Sequence, residues 1–232
     1  MTKKHLLRGA IALSIGLLFP SLGNFTPATA ANSVDDASSL WVVVNKARPL
    51  SPLKYKPENL VVVSGAGLNI NPYGKKLNKT AAYALVQVAK AMNRAGKGKL
   101  VIQSAYRSYS DQVAVHDRLV SKYGLRKGES YAARPGFSEH QTGLAVDVSA
   151  RSQGCQIRDC FGGTKAGAWL AKNAYKYGFV LRYPKGFTSI TGYQYEPWHF
   201  RYVGKELALA MHNKKIHTLE QYFKLPAAPK YP

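Results

Sequence analysis

The sequence predicts an α+β domain built on a mostly antiparallel sheet, and three observations lead there. Apolar stripes at helical spacing and short alternating runs follow one another in irregular order. Several of the strand-like runs are joined by short links, which favours antiparallel neighbours. The chain has 232 residues, 46% of them hydrophobic, enough for one sizeable core but too few for two comfortable ones.

Taken in order, residues 31–40 are rich in Ser, Asn and Asp and read as a flexible lead-in. Trp41–Val44 and Leu60–Val63 are short β-prone runs separated by Pro49, Pro52 and Pro57, an extended arm too apolar to be a free linker. Thr80 is placed to cap a helix whose stripe is Leu85, Val88, Ala89 and Met92, with Gly96 as its stop. Leu100–Tyr106 reads as a strand, Arg107-Ser108 as a turn, and a helix follows from near Ser110 to Gly124. Ala132–Thr142 is irregular. Leu144–Ser149 alternates, with Leu144, Val146 and Val148 on one face and Ala145, Asp147 and Ser149 on the other. Thr164 caps a further helix that Gly178 stops. Phe179–Tyr183 and Trp198–Val203 are strands, and Lys205–Asn213 is a final helix. This gives one domain over 41–224, followed by a Pro-rich tail, 225–232, expected to fray.

The first thirty residues carry a different message. Lys3, Lys4 and Arg8 precede an apolar stretch from Gly9 to Phe19, and Ala28-Thr29-Ala30 is a small-x-small cleavage site. Residues 1–30 are expected to be a signal peptide, and the protein to be exported to the cell wall or periplasmic space of a bacterium. An uncleaved anchor is the alternative, though the run is short for a membrane span; no later segment is expected to span. The formal net charge of +21 favours polyanionic surroundings. For an exported protein these are anionic cell-wall polymers or lipid headgroups, or the surface is simply basic. The Lys and Arg residues are scattered without a basic helix or arm, so no nucleic-acid partner is expected. The two cysteines, Cys155 and Cys160, enclose a short loop. In an exported chain a disulfide is expected, and as a zinc pair they lack partners at suitable spacing.

Of six histidines, His140 and His199 stand out. His140 lies in Ser138-Glu139-His140-Gln141-Thr142-Gly143-Leu144-Ala145-Val146-Asp147, just before a strand, and Asp147 lies within it. His199 closes Glu196-Pro197-Trp198-His199 and alternates with Trp198 and Phe200, so it can face the same point. A catalytic zinc takes three protein ligands and keeps one position open, and a carboxylate in an apolar strand needs a cation or hydrogen bonds. His140, Asp147 and His199 make such a set. Glu196, three residues earlier across a proline turn, would bring a second carboxylate close without ligating, as a general base requires. Singly, each residue also fits a structural histidine or a turn cap.

The blocks Ser138-x-His140-x-x-Gly143-x-Ala145-x-Asp147 and Glu196-Pro197-Trp198-His199 resemble the paired signature of the VanY-type D-alanyl-D-alanine carboxypeptidases, zinc peptidases with the Hedgehog/DD-peptidase fold. Tyr106-Arg107-Ser108, and Tyr183-Pro184 near Thr191-Gly192-Tyr193, match the same pattern, over about Val42 to Gly204. The resemblance implies His140, Asp147 and His199 as zinc ligands and Glu196 as catalytic base. It implies that Arg107 steadies the scissile carbonyl and oxyanion. Gln112 and Ser138 match positions that hold the substrate's terminal carboxylate, and Tyr183 one that lines the cleft. The implied activity is removal of the C-terminal D-Ala from peptidoglycan stem peptides by a monomer. L,D-carboxypeptidase action on tetrapeptides and endopeptidase cleavage are alternatives of the same class. A non-catalytic wall-binding zinc module is the alternative of another class.

Overall fold

The computed structural model describes Met1 and residues 32–66, 68–70 and 75–232. The expected signal segment, Met1 apart, lies outside them. The fold is the expected α+β arrangement. Among the described residues the main sheet has five strands, β2 (Asn69–Ile70), β4 (Leu100–Ser104), β5 (Ala145–Ala150), β6 (Phe179–Leu181) and β7 (His199–Tyr202). They lie in the order β2-β4-β5-β7-β6, and only the short β2–β4 pair is parallel. A separate antiparallel ribbon joins β1 (Leu60–Val62) to β3 (Lys76–Asn78).

One side of the sheet is the main core. Val146, Val148 and Ala150 of β5 and Phe200 of β7 meet Ala81, Leu85, Val88, Ala89 and Met92 of α1 (Lys79–Arg94). The cap of α1 is Asn78, whose side chain accepts from the Thr80 amide. The helix therefore starts one residue before Thr80, the cap expected from sequence. Ser108 caps α2 (Tyr109–Tyr123) in a reciprocal box with Asp111, satisfying two otherwise open amides. Helix α3 (Leu125–Tyr131) follows after Gly124 and was not anticipated, its short polar sequence having no apolar stripe. Thr164 caps α4 (Lys165–Asn173) as expected. The link between β6 and β7 contains the short α5 (Thr188–Thr191), and α7 (Leu219–Tyr222) follows α6 (Lys205–Asn213).

The lead-in and arm are fastened to the domain. Trp41–Val44 forms no ladder, because Val42 and Val44 pack into the main core while Val43 faces the α6–α7 cluster. The lead-in expected to be flexible is anchored from Val34 onward. Ala37 and Ser39 are buried, and Arg48 binds Val34's carbonyl and Asp35's carboxylate.

Beneath this covering lies a buried ion network. Arg182 grips Glu220 through two parallel bonds of 2.9 and 2.7 Å. Its Nε donates to Glu139 Oε1 at 2.8 Å, and Arg201 Nη1 donates to the same oxygen at 2.9 Å. Arg201 also donates to the carbonyls of Leu40 and Val42, and Asn45 donates to Glu220. Two carboxylates and two guanidiniums cancel in charge, so none is left uncompensated in the interior, where one alone would be costly. These bonds join sheet, arm and α7 at one point.

The tail is also held, contrary to the fraying expected of it. The Ala228 amide donates to Ile190's carbonyl at 2.8 Å, and its own carbonyl lies against Gly192, where a Cβ would come within 2.2 Å. The Tyr231 hydroxyl accepts from the Arg134 amide at 2.9 Å, and its ring meets Phe137 edge-on beneath the Arg134 guanidinium. Deleting residues 226–232 is expected to lower unfolding free energy by about 2 kcal/mol, the worth of one buried aromatic. Urea titration of the two chains measures it; an unmoved midpoint would mean a frayed tail.

Candidate metal centre

Register builds the site. In the β5–β7 ladder Asp147 and His199 are direct Cα partners. His140 arrives from a 3-10 turn (Glu139–Thr142) that ends at Gly143. Gly143 has φ +70°, and a Cβ there would meet Leu60 at 2.7 Å and the Asn78 amide at 3.2 Å. Only glycine both turns the chain into β5 and clears the ribbon, which explains its place in the motif.

The three ligating groups converge. His140 Nε2 is 3.1 Å from Asp147 Oδ2, and His199 Nδ1 is 2.9 Å from Asp147 Oδ1. One donor atom from each lies within 4.8 Å of the others, and all three residues are buried. His140 Nδ1 donates to the Ala105 carbonyl at 2.7 Å, which can only accept, so Nε2 presents its lone pair to the centre. Burial, with the nearby Arg107 charge, lowers the His140 pKa to about 4 and keeps the ring neutral. Burial opposes charge on His199 too, but the Asp147 hydrogen bond and the facing Glu139 carboxylate overcome it and raise the pKa to about 9. Asp147 is held well below the carboxylate range by both imidazoles, against its burial. The centre thus draws in positive charge. A buried carboxylate with two imidazole nitrogens is the donor set of a divalent metal with an open position, and these residues fit one.

Around this point stand the other expected residues. Glu196 Oε2 is 3.8 Å from His199 Nδ1, and burial, reinforced by the Asp147 charge, raises the Glu196 pKa to about 8. Arg107 Nη1 is 3.8 Å from Asp147 Oδ2 and bonds the Ser104 hydroxyl. Its Nε donates to Gln112 Oε1 at 2.9 Å. Ser138 and Tyr183 line the same cleft, of about 930 Å³, with the Tyr183 ring 4.9 Å from that of His199.

Gln112 is fully buried; its amide nitrogen donates to the Ala133 carbonyl at 2.7 Å and its oxygen accepts from Arg107 Nε, so it braces Arg107. Arg134, for which the sequence suggested no role, pairs with Glu129 outside the centre. Cys155 and Cys160 are disulfide-bonded as expected, and Ile157, Arg158 and Asp159 of their loop form part of the cleft wall.

Sequence reasoning missed Glu139, although it adjoins His140. The available signal was Arg182 and Arg201, charged residues in apolar strand contexts, which require buried acids.

With the geometry in view, the comparisons agree with it. Residues 74–205 match the family model described as VanY, D-alanyl-D-alanine carboxypeptidase. The putative carboxypeptidase YodJ of Bacillus subtilis (strain 168) is 42% identical over 192 residues, 82% of this chain and 69% of that protein. The solved structure of the LdcB LD-carboxypeptidase superposes with TM-score 0.74 at 42% identity, covering 81% of this chain and 87% of that one. A vancomycin resistance D,D-pentapeptidase VanY variant in complex with Zn(II) superposes with TM-score 0.65 at 30% identity, covering 81% and 99%. With its paired motifs folded into one buried centre and more than half its length within the family model, the chain belongs to the VanY family of D-alanyl-D-alanine carboxypeptidases.

Proposed function

We propose that this protein is a zinc-dependent carboxypeptidase that removes the C-terminal D-Ala from peptidoglycan stem peptides, and that it acts after export from the cytoplasm. One observation carries the reading: the convergence of buried His140, Asp147 and His199 beside Glu196 and Arg107 in an open cleft. Such a cleft suits catalysis better than a purely structural metal. A zinc ion held by these three side chains would polarise the scissile carbonyl and lower the pKa of a water to about 7.

Glu196 takes the proton of the attacking water and passes it to the leaving amine nitrogen, acting first as base and then as acid. Its burial suits this exchange, because a pKa near the working pH makes both transfers accessible. The Arg107 guanidinium stabilises the negative charge that develops on the carbonyl oxygen. Gln112 and Ser104 fix it before substrate arrives, so little reorganisation is required during the reaction. Ser138 meets the substrate's terminal carboxylate, Tyr183 lines the cleft beside it, and Gln112 braces Arg107.

A second reading, L,D-carboxypeptidase action on tetrapeptide stems, is supported by the closer superposition on LdcB, 0.74 against 0.65 for VanY. The +21 charge supports retention on anionic wall polymers. Among the described residues no helix is long and apolar enough to cross a membrane.

The deciding experiment incubates the protein with pentapeptide and tetrapeptide muropeptides, with and without a zinc chelator, and reads products by mass spectrometry. Chelator-sensitive loss of one Ala is expected, and the peptide that loses it first separates D,D from L,D action. Cleavage inside the stem, or none by the zinc-loaded protein, would overturn the reading. Glu196→Ala is expected to lower turnover about 10²–10⁴-fold while zinc content stays unchanged. Arg107→Lys keeps the charge but loses the fork, and kcat is expected to fall about 10²-fold with KM less affected. Reducing the disulfide, which closes a short loop, is expected to cost about 2 kcal/mol of stability. It should raise KM more than it lowers kcat, because the loop borders the cleft and not the metal.

A further inference from the structure

Two buried polar atoms face each other without a hydrogen-bond partner. Glu139 Oε2 and His199 Nε2 are both closed to solvent, and 3.5 Å separates them. Leaving two such atoms unpaired would cost about 1–3 kcal/mol each, so their opposition within a well-packed interior calls for a cause. His199 turns Nδ1 toward Asp147 and the centre. To bind a metal through Nδ1, the neutral ring must carry its proton on Nε2, the atom that points at Glu139.

Glu139 is fixed from behind. Its other oxygen receives both Arg182 Nε and Arg201 Nη1. Arg182 is anchored on Glu220 of α7, and Arg201 on the carbonyls of Leu40, which ends the lead-in, and Val42 in the arm. The two histidines are therefore backed differently: His140 by a neutral carbonyl, His199 by a carboxylate clamped between two guanidiniums.

We propose that Glu139 is a positioning residue for the metal centre, holding His199 in the Nε2–H form with Nδ1 free to ligate, and that Arg182 and Arg201 keep it in place. The proposal rests on the metal reading above. It also gives the arm and α7, both remote from the cleft, a part in holding a ligand. The carboxylate makes His199 a stronger donor than a neutral partner would, as outer partners of ligating histidines generally do.

Glu139→Gln tests this directly. The two guanidiniums claim the amide oxygen, so the NH₂ group faces His199 Nε2. That ring nitrogen must then accept, which moves the proton to Nδ1, where it blocks the metal. Zinc affinity is read on the whole chain by competition with a chromogenic chelator, beside circular dichroism and thermal melting. Glu220→Gln is the control, since it breaks the same network at Arg182 without touching His199.

The expected result is about a 10–100-fold loss of zinc affinity for Glu139→Gln. For Glu220→Gln the expectation is a loss below about threefold, although both variants melt earlier. Equal losses in the two variants would make the effect structural and overturn the proposal, as would wild-type affinity in Glu139→Gln. If Glu139→Gln fails to fold, Glu139→Asp serves. It keeps the charge for the arginines but draws the oxygen away from His199, and about a tenfold loss is expected; unchanged affinity overturns the proposal. A wild-type chain that binds no zinc would overturn the metal reading itself, an outcome distinct from normal wild-type binding with unaffected variants.

Discussion

Antiparallel pairing of β5 with β7 sets Asp147 opposite His199, and most of the molecule is arranged around the consequence. One face of this ladder carries Val146, Val148 and Phe200 into an ordinary apolar core. The other carries Asp147, His199 and Arg201, all buried. Charges in that position are tolerated only when each has a counter-charge or a cation within reach. Arg201 and Arg182 meet Glu139 and Glu220, while Asp147 meets two imidazoles and a place for a metal. The arm and the C-terminal helices exclude water from the ionic part of this face. The cleft leaves the metal side open.

Rigid support and access are thus divided across the sheet. Arg107 is tied to Gln112 and Ser104, and Glu196 donates its amide to the Tyr183 carbonyl while its own carbonyl accepts from the His199 amide. Groups held this firmly meet developing charge with little rearrangement, which is where electrostatic catalysis gains most. The rim is looser. Ile157, Arg158 and Asp159 are exposed and lie on a loop tied by a disulfide rather than by a core. This rim and residues of α2 and α3 wall the same cleft.

Several departures from expectation share one cause. The lead-in at 31–40 is polar in composition, yet Ala37 and Ser39 are buried because the arm closes over the ion network. The tail at 225–232 is rich in proline, yet Tyr231 finds Arg134 and Phe137 nearly a hundred residues earlier in the chain. Gln112 sits on a helix just after the Tyr-Arg-Ser turn, and its amide reaches across to the Ala133 carbonyl while its oxygen holds Arg107. In each case at least one partner is distant in sequence, and neither composition nor local spacing signals it.

By itself the sequence determined the α+β class, most helix and strand positions, the cysteine pair and the residues of the metal centre. Strand alternation and glycine breaks are local rules, and the motif blocks are spaced to match one another. Tertiary structure alone decided which nitrogen of each histidine faces the metal, what Gln112 braces, and that Glu139 stands behind His199. Those are matters of hydrogen-bond partnership across the sheet, set by register and by the burial of unlike charges together, and no local pattern carries them.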